Sequence, residues 1–243
     1  GSFALDAQTT ADDNTAVGHN ALGACTDGHI NTAVGSGAGD AITTGQSSAL
    51  VGCNAGGSIT TGDFNVAVGE GALVGCTTGD NNICIGHDSG RGNSPSGNIT
   101  TGDNNVVLGN NSIQNLYCAD TSISSSDSRD KADVTDFTKG LDWIKALRPV
   151  TYRWDRRTWY GTGVEGASDE FYGTPDGSKK RTRLHVGFLA QEALAVEKAN
   201  GYGSSNDDSL VVNLTEDGMS YGMKYERLVP VLVNAIKELS TKN

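Results

Sequence analysis

The sequence predicts a mainly β repeat, a β-roll or β-solenoid, followed by an α+β domain. Three observations carry this reading. An apolar triplet ending in glycine recurs at fixed spacing, the composition changes near residue 125, and helical spacing of apolar residues begins only after that point.

The compositional break sets the expected domains: a repeat over 1–110, a connector over 111–125 and a second domain over 126–243. Residues 1–125 hold eleven acidic side chains against one basic one, Arg91, a formal charge of −10, whereas residues 126–243 hold 17 basic and 18 acidic ones. Of the 33 glycines, 22 precede residue 126, and Trp143, Trp154 and Trp159 all follow it. A front half this acidic cannot neutralise phosphates, so no nucleic-acid partner is expected for it. Membrane insertion is not expected either, since no run of about 18 apolar residues occurs. Gly1-Ser2 reads as a cloning remnant, and the natural chain is expected to extend upstream.

Leu, Ile, Val and Phe make up 24 of the first 125 residues, which by composition alone would suggest disorder. Periodicity overrides it. The triplets "TAVG", "TAVG", "ALVG", "VAVG", "ICIG" and "VVLG" end at Gly18, Gly35, Gly52, Gly69, Gly86 and Gly109, spaced by 17 residues four times and then by 23. A second marker, "TDG" at Gly28 and "TTG" at Gly45, Gly62, Gly79 and Gly102, keeps the same step, so a six-residue insertion within Ser89 to Asn98 explains both irregularities. Short β-type runs between glycine turns at a 17-residue period fit a β-solenoid, because helical repeats run to about 30 residues or more.

Two slots recur inside this period. One reads Cys25, Ile42, Ile59, Cys76 and Ile99; the other reads Ala21, Ala38, Ala55, Ala72 and Ser89. Both are expected in the core. The cysteines in the first slot, and Cys84 in place of an alanine, are expected to be buried free thiols rather than metal ligands or disulfides, and the odd total of five suits a reducing compartment. Asp63, Asp80 and Asp103, with Asn65, Asn82 and Asn105, are read as Asx turns at the glycine corners, since the carboxylate density of a calcium loop is missing. His19, His29 and His87 fall at different repeat positions, which argues against a metal ladder. No cofactor and no metal are expected.

A core of alanine, cysteine and single isoleucines is thin beside an ordering cost of about 1–2 kcal/mol per residue. Several chains are therefore expected to share it, and the alanine slot suggests backbones meeting around the axis of a homotrimer.

After Val134 the texture changes. Phe137, Leu141, Ile144 and Leu147 stand at helical spacing before Pro149, and "VTYRW" alternates as a strand. Asp155 to Arg183 is a polar, glycine-rich excursion, "LHVGFLA" a second strand and "QEALAVEKA" a helix. Near the end Leu228, Leu232, Ala235 and Leu239 form an a/d seam, with Pro230 tolerated in the first turn. In a trimer this seam is expected to make a short three-helix bundle.

The chemistry-bearing stretch is "SSSDSRDK", Ser124 to Lys131. A serine hydroxyl becomes a useful nucleophile when a base removes its proton, and a lysine that has lost its charge does this. Ser126 and Lys131 are five apart, off one helix face but within reach across a turn.

The "NTAVG" repeats over residues 14–110 resemble the head repeats of trimeric bacterial adhesins and the shaft or head repeats of bacteriophage tail fibres. "SDSRDK", "LDWIKALRPVTYRWD", "VGFLAQEA" and "MKYERLVPVLVNAIKEL", in that order, resemble the intramolecular chaperone and autoprotease domain at the C-terminus of phage tailspikes and tail fibres, peptidase family S74. That resemblance implies a serine/lysine dyad, Ser126 and Lys131, which cuts the bond between Ser125 and Ser126 once the trimer has assembled. The S-D pair selects Ser126 over its neighbours Ser124 and Ser125. Asp127 and Arg129 would shape the turn or hold the scissile carbonyl. His185, Gln191 and Glu192 would report assembly to the scissile loop, or serve packing and the helix start.

The expected protein is thus a virion tail-fibre tip, assembled in the host cytoplasm, whose partners are its own copies and a host-surface polysaccharide or outer-membrane protein. The competing reading is a non-cleaving adhesive head of a bacterial surface protein. Activity on host polysaccharide is not expected from the repeats, where no convergent carboxylate pair is seen.

Overall fold

The computed structural model describes residues 1–118, 126–163, 167 and 170–241. The chain forms a β-solenoid followed by a few helices, the last of them C-terminal. Six strands, β1 (Thr15–Val17), β2 (Thr32–Val34), β3 (Ala49–Val51), β4 (Val66–Val68), β5 (Ile83–Ile85) and β6 (Val106–Leu108), stack in order in one parallel sheet. Each carries an apolar triplet. The register pairs Ala16 with Ala33, Leu50 with Ala67, and Cys84 with Val107.

Both recurring slots lie inside the solenoid. Cys25, Ile42, Ile59 and Cys76, with Ala21, Ala38, Ala55 and Ala72, are fully buried, as are the central residues Ala33, Leu50, Ala67 and Cys84 of four strands. The alanine slot therefore does not face another chain. Only small side chains fill it, alanine on four rungs and the buried Ser89 on the fifth. Burial pushes the Cys76 thiol up to about 11 and the Cys84 thiol up to about 12, which leaves both protonated and unreactive at neutral pH.

The asparagines do something other than cap their own corners. Asn31, Asn65 and Asn82 are fully buried and bridge successive rungs. The Asn65 side chain accepts from the Asn82 amide at 3.0 Å and donates to the Gly79 carbonyl at 2.8 Å; Asn82 repeats this with Asn105 and Gly102. A serine, Ser48, holds the equivalent position one rung earlier and accepts from the Asn65 amide at 3.1 Å. The aspartates form a parallel outer ladder, with Asp63, Asp80 and Asp103 each accepting the amide of the preceding rung. Asn65→Ala, which orphans the buried Asn82 amide and leaves the Gly79 carbonyl only the weak Cys76 thiol donor, is expected to cost about 2–3 kcal/mol in denaturant unfolding. Asn65→Ser, which places on this rung the residue that Ser48 supplies on the one before, keeps the acceptor and should cost about half as much; equal losses would show that the ladder contributes nothing specific.

Two segments that follow residue 126 in sequence belong to the same compact unit as the repeat, namely 154–181 and 215–220. The first, predicted as a polar excursion, is built on cation–π contacts: Arg156 over Trp154, Arg157 over Tyr172 and Arg181 over Trp159, at 4.0, 4.9 and 4.8 Å. It is anchored to the last rung. Arg156 donates to the Asn111 side chain at 2.7 Å, Trp159 to the Asn111 carbonyl at 3.3 Å, and Arg91 lies over the Phe171 ring.

The second unit comprises 115–153, 182–214 and 221–243. It contains α1 (Leu141–Ala146), β7 (Val150–Tyr152), β8 (His185–Gly187), α2 (Ala190–Ala199), β9 (Val212–Leu214), β10 (Tyr221–Met223) and α3 (Leu228–Thr241). β7 pairs antiparallel with β8, and β9 with β10. The core gathers Trp143, Val211, Leu228 and Val231, with Phe137, Tyr202 and Phe188 around them. Phe137 packs on Trp143 but lies outside α1, which starts after its N-cap Gly140; a β-carbon on Gly140 would meet the Ala235 amide at 2.8 Å, so glycine there lets α1 approach α3. Glu238 of α3 then accepts from the first helical amide, Leu141, at 3.1 Å.

The seam on α3 divides. Leu228 and Ala235 are buried in their own chain, while Leu232 and Leu239 are exposed together with Val229 and Ile236. The inward face must fit against α1, and the small Ala235 sits at that close approach. The outward face, Val229, Leu232, Ile236 and Leu239, carries the 3,4 spacing instead.

Candidate functional site

Residues 128–130 form a single 3₁₀ turn, and its cap explains the local geometry. The Asp127 carboxylate accepts from the Arg129 backbone amide at 2.9 Å, satisfying a donor that the turn leaves free. It also accepts from the Arg129 guanidinium, Nε at 3.0 Å and Nη2 at 2.6 Å, a side-on bidentate pair. The Arg129 side chain holds the Asp127 carboxyl below the usual aspartate range, and Asp127 in turn pushes Arg129 up. The two side chains meet within the turn, and the scissile carbonyl that they would otherwise hold lies outside the described residues.

The turn reverses the chain so that Lys131 comes back over Ser126. Lys131 Nζ donates to Ser126 Oγ at 2.7 Å, and the Lys131 amide donates to the Ser128 carbonyl at 3.4 Å. The five-residue separation that takes the pair off a helix face is spanned by 3₁₀ geometry. Ser126 and Lys131 are both exposed in the single chain. Ser124 and Ser125, and with them the predicted scissile carbonyl, lie outside the described residues.

The auxiliary residues take other places in the same unit. His185 stands opposite Tyr152 across the β7–β8 pair, and their rings stack at 5.5 Å. Glu192, in the first turn of α2, binds Arg148 side-on, with 2.5 Å between Nη2 and Oε1 and 3.1 Å between Nε and Oε2. Gln191 is exposed beside it. His185 and Glu192 knit the segment "ALRPVTY" to "HVGFLAQE". A β-carbon on Gly187 in that second motif would lie 2.5 Å from the Tyr225 hydroxyl, which accepts from the Phe188 amide at 3.2 Å, so a larger residue there would displace that side chain.

Sequence reasoning missed one buried carboxylate here. Glu197 on α2 is fully buried and accepts from Ser209 Oγ at 2.9 Å and from the Val211 and Val212 amides, fastening the approach to β9. Nothing in "AVEKA" distinguishes it from a solvated helix glutamate. Its partners lie a dozen residues or more downstream.

Residues 126–202 match the model of the peptidase S74 family, chaperone of endosialidase, and the match starts at Ser126 itself. No curated protein and no solved structure matches the chain. This part of the chain is thus similar to a family of chaperones that bears a peptidase name, and a role in folding and trimerisation is the coarse function this supports.

Proposed function

We propose that the segment beginning at Ser126 is an intramolecular chaperone that holds three copies of the chain together while the solenoid folds, and then cuts itself away between Ser125 and Ser126. The observation that carries this reading is the 2.7 Å contact from Lys131 Nζ to Ser126 Oγ at the first residues of the matched segment. Ser126 Oγ attacks the carbonyl carbon of Ser125 as Lys131 takes the hydroxyl proton. The amide to the Ser126 nitrogen breaks, that nitrogen leaves with a proton, and an ester joins Ser125 to Ser126 Oγ. Water hydrolyses the ester, leaving a carboxylate on Ser125 and a free amine on Ser126.

A lysine takes a proton only as a neutral amine, and burial is one way to remove its charge. Because Lys131 is exposed in the single chain, covering by a neighbouring copy ties cleavage to assembly. Two exposed apolar stripes suit such copies. On the solenoid, Val17, Val34, Val51, Val68, Ile85 and Leu108 point outward from successive strands; on α3, Val229, Leu232, Ile236 and Leu239 do so, with Ile236 65% exposed. Three α3 helices meeting on that face make the bundle. The solenoid left behind is a trimeric tail-fibre tip of a phage, carried in the virion after assembly in the host cytoplasm, which binds a host-surface polysaccharide or outer-membrane protein.

Mass spectrometry of the purified chain under denaturing conditions is expected to find a fragment of residues 126–243 starting at Ser126, with its counterpart ending at Ser125. A chain that stays whole after trimer assembly, or a cut elsewhere, would overturn the reading.

A further inference from the structure

A parallel solenoid ends in a rung whose amides and hydroxyls have no next rung to bond, an edge open to unwanted pairing. In the interior, the threonine carbonyl of each following rung receives them. Thr43, Thr44 and Gly45 amides all donate to the Thr60 carbonyl, and Thr43 Oγ1 joins them at 3.2 Å; Thr60 and Thr61 amides and Thr60 Oγ1 address Thr77 in the same way.

At the last "TTG", Thr100 to Gly102, one side chain receives the first threonine's hydroxyl and the next two amides instead. Glu216 Oε1 accepts from Thr100 Oγ1 at 2.8 Å, from the Thr101 amide at 2.9 Å and from Thr101 Oγ1 at 3.0 Å, while Oε2 accepts from the Gly102 amide at 3.0 Å. The glycines give an independent register. A β-carbon on Gly45, Gly62 or Gly79 would meet the carbonyl oxygen of the next rung's glycine at 2.7, 2.5 and 2.5 Å; on Gly102 it would meet Glu216 Oε2 at 2.4 Å. The two carboxylate oxygens occupy the places of the two missing carbonyls. Asp217 beside it accepts from the Asn98 amide at 3.0 Å and from the Tyr172 hydroxyl at 3.2 Å.

We propose that the turn Thr215–Ser220, between β9 and β10, is a surrogate rung: Glu216 imitates the backbone of a next solenoid turn, and so sets the shape of the last rung and closes its edge within the uncut chain. Partial burial works against the charge of this carboxyl, but the hydrogen bonds from Thr101, Thr100 and Gly102 outweigh it and hold the group below the usual glutamate range. A carboxylate suits the role because it offers two acceptors in one plane and donates to nothing. If the chaperone is released as proposed, Thr215–Ser220 leaves with it, so the edge stays closed until the fibre is finished.

The test is amide hydrogen exchange on the full chain carrying Ser126→Ala, with a denaturing gel run alongside so that any residual cleavage is seen separately. Glu216→Ala is expected to speed exchange at Thr101 and Gly102 at least tenfold, and to leave Thr43 and Gly45, which donate to Thr60, unchanged. Glu216→Gln, which keeps one carbonyl oxygen, should restore part of the protection. Unchanged exchange at Thr101 and Gly102 in Glu216→Ala, or equal acceleration along every rung in both variants, would overturn the surrogate role.

Discussion

Ser126→Ala is expected to abolish release of the 126–243 fragment, and Lys131→Ala to slow it by about a hundredfold to ten-thousandfold, the usual contribution of one general base. The informative variant is Lys131→Arg. Arginine keeps the positive charge and enough length to reach Ser126 Oγ, but it does not give up its proton in proteins. If Lys131 acts by charge and position, Lys131→Arg cleaves nearly as well as the parent; if it acts as the base, Lys131→Arg fails like Lys131→Ala. We expect failure. The turn itself is held by Asp127 and Arg129, and the Lys131 side chain is exposed, so these substitutions leave folding and trimerisation intact. Time courses on denaturing gels, with sedimentation of the same samples, read both properties at once. Cleavage of Ser126→Ala at the parent's rate would move the nucleophile to another residue.

The solenoid was legible because its signal repeats: Cys25, Ile42, Ile59 and Cys76 declare one core slot four times, and each is buried. Single-copy features were harder. The left-handed corners at Ile30, Ser47 and Phe64 carry no glycine, since each rung's pairing with its neighbours imposes the conformation against the residue's own preference. Asn65 and Asn82 were recognisable as turn-forming residues, but side chains that satisfy neighbours 14 or 17 positions away look no different in sequence from those that satisfy their own corner. On α3 the spacing of Leu228, Leu232, Ala235 and Leu239 was visible, but not that Gly140 draws Ala235 inward and turns Leu232 and Leu239 out. The Ser126–Lys131 contact was within reach of sequence reasoning because it is local. Glu216 was not, since its partners lie over a hundred residues away.

Gly52→Ala is expected to break the solenoid near its middle. Gly52 has φ +138°, a conformation that side chains rarely adopt, and a β-carbon there would sit 2.5 Å from the Gly69 oxygen and 2.6 Å from the Gly69 carbon. Both obstacles are backbone. They cannot swing aside as a side chain would, because β3 and β4 are locked in register at the sheet spacing of about 4.8 Å. Backbone strain of about 1–3 kcal/mol and overpacking of about 1–3 kcal/mol together place the loss at roughly 4 kcal/mol. Gly86 offers an internal comparison: its β-carbon would meet Gly109 at 3.0 Å, because the longer rung that follows sets Gly109 differently, so Gly86→Ala should cost less. Gly222→Ala on β10, with nothing nearer than 3.9 Å, should stay within about 0.5 kcal/mol of the parent. Repeat arrays lose two-state behaviour when one rung fails, so exchange protection rung by rung is the proper measurement. Protection is expected to collapse at β3 and β4 first. If Gly52→Ala behaves like Gly222→Ala, the stacked glycines are a habit of the repeat and not the reason its rungs can approach.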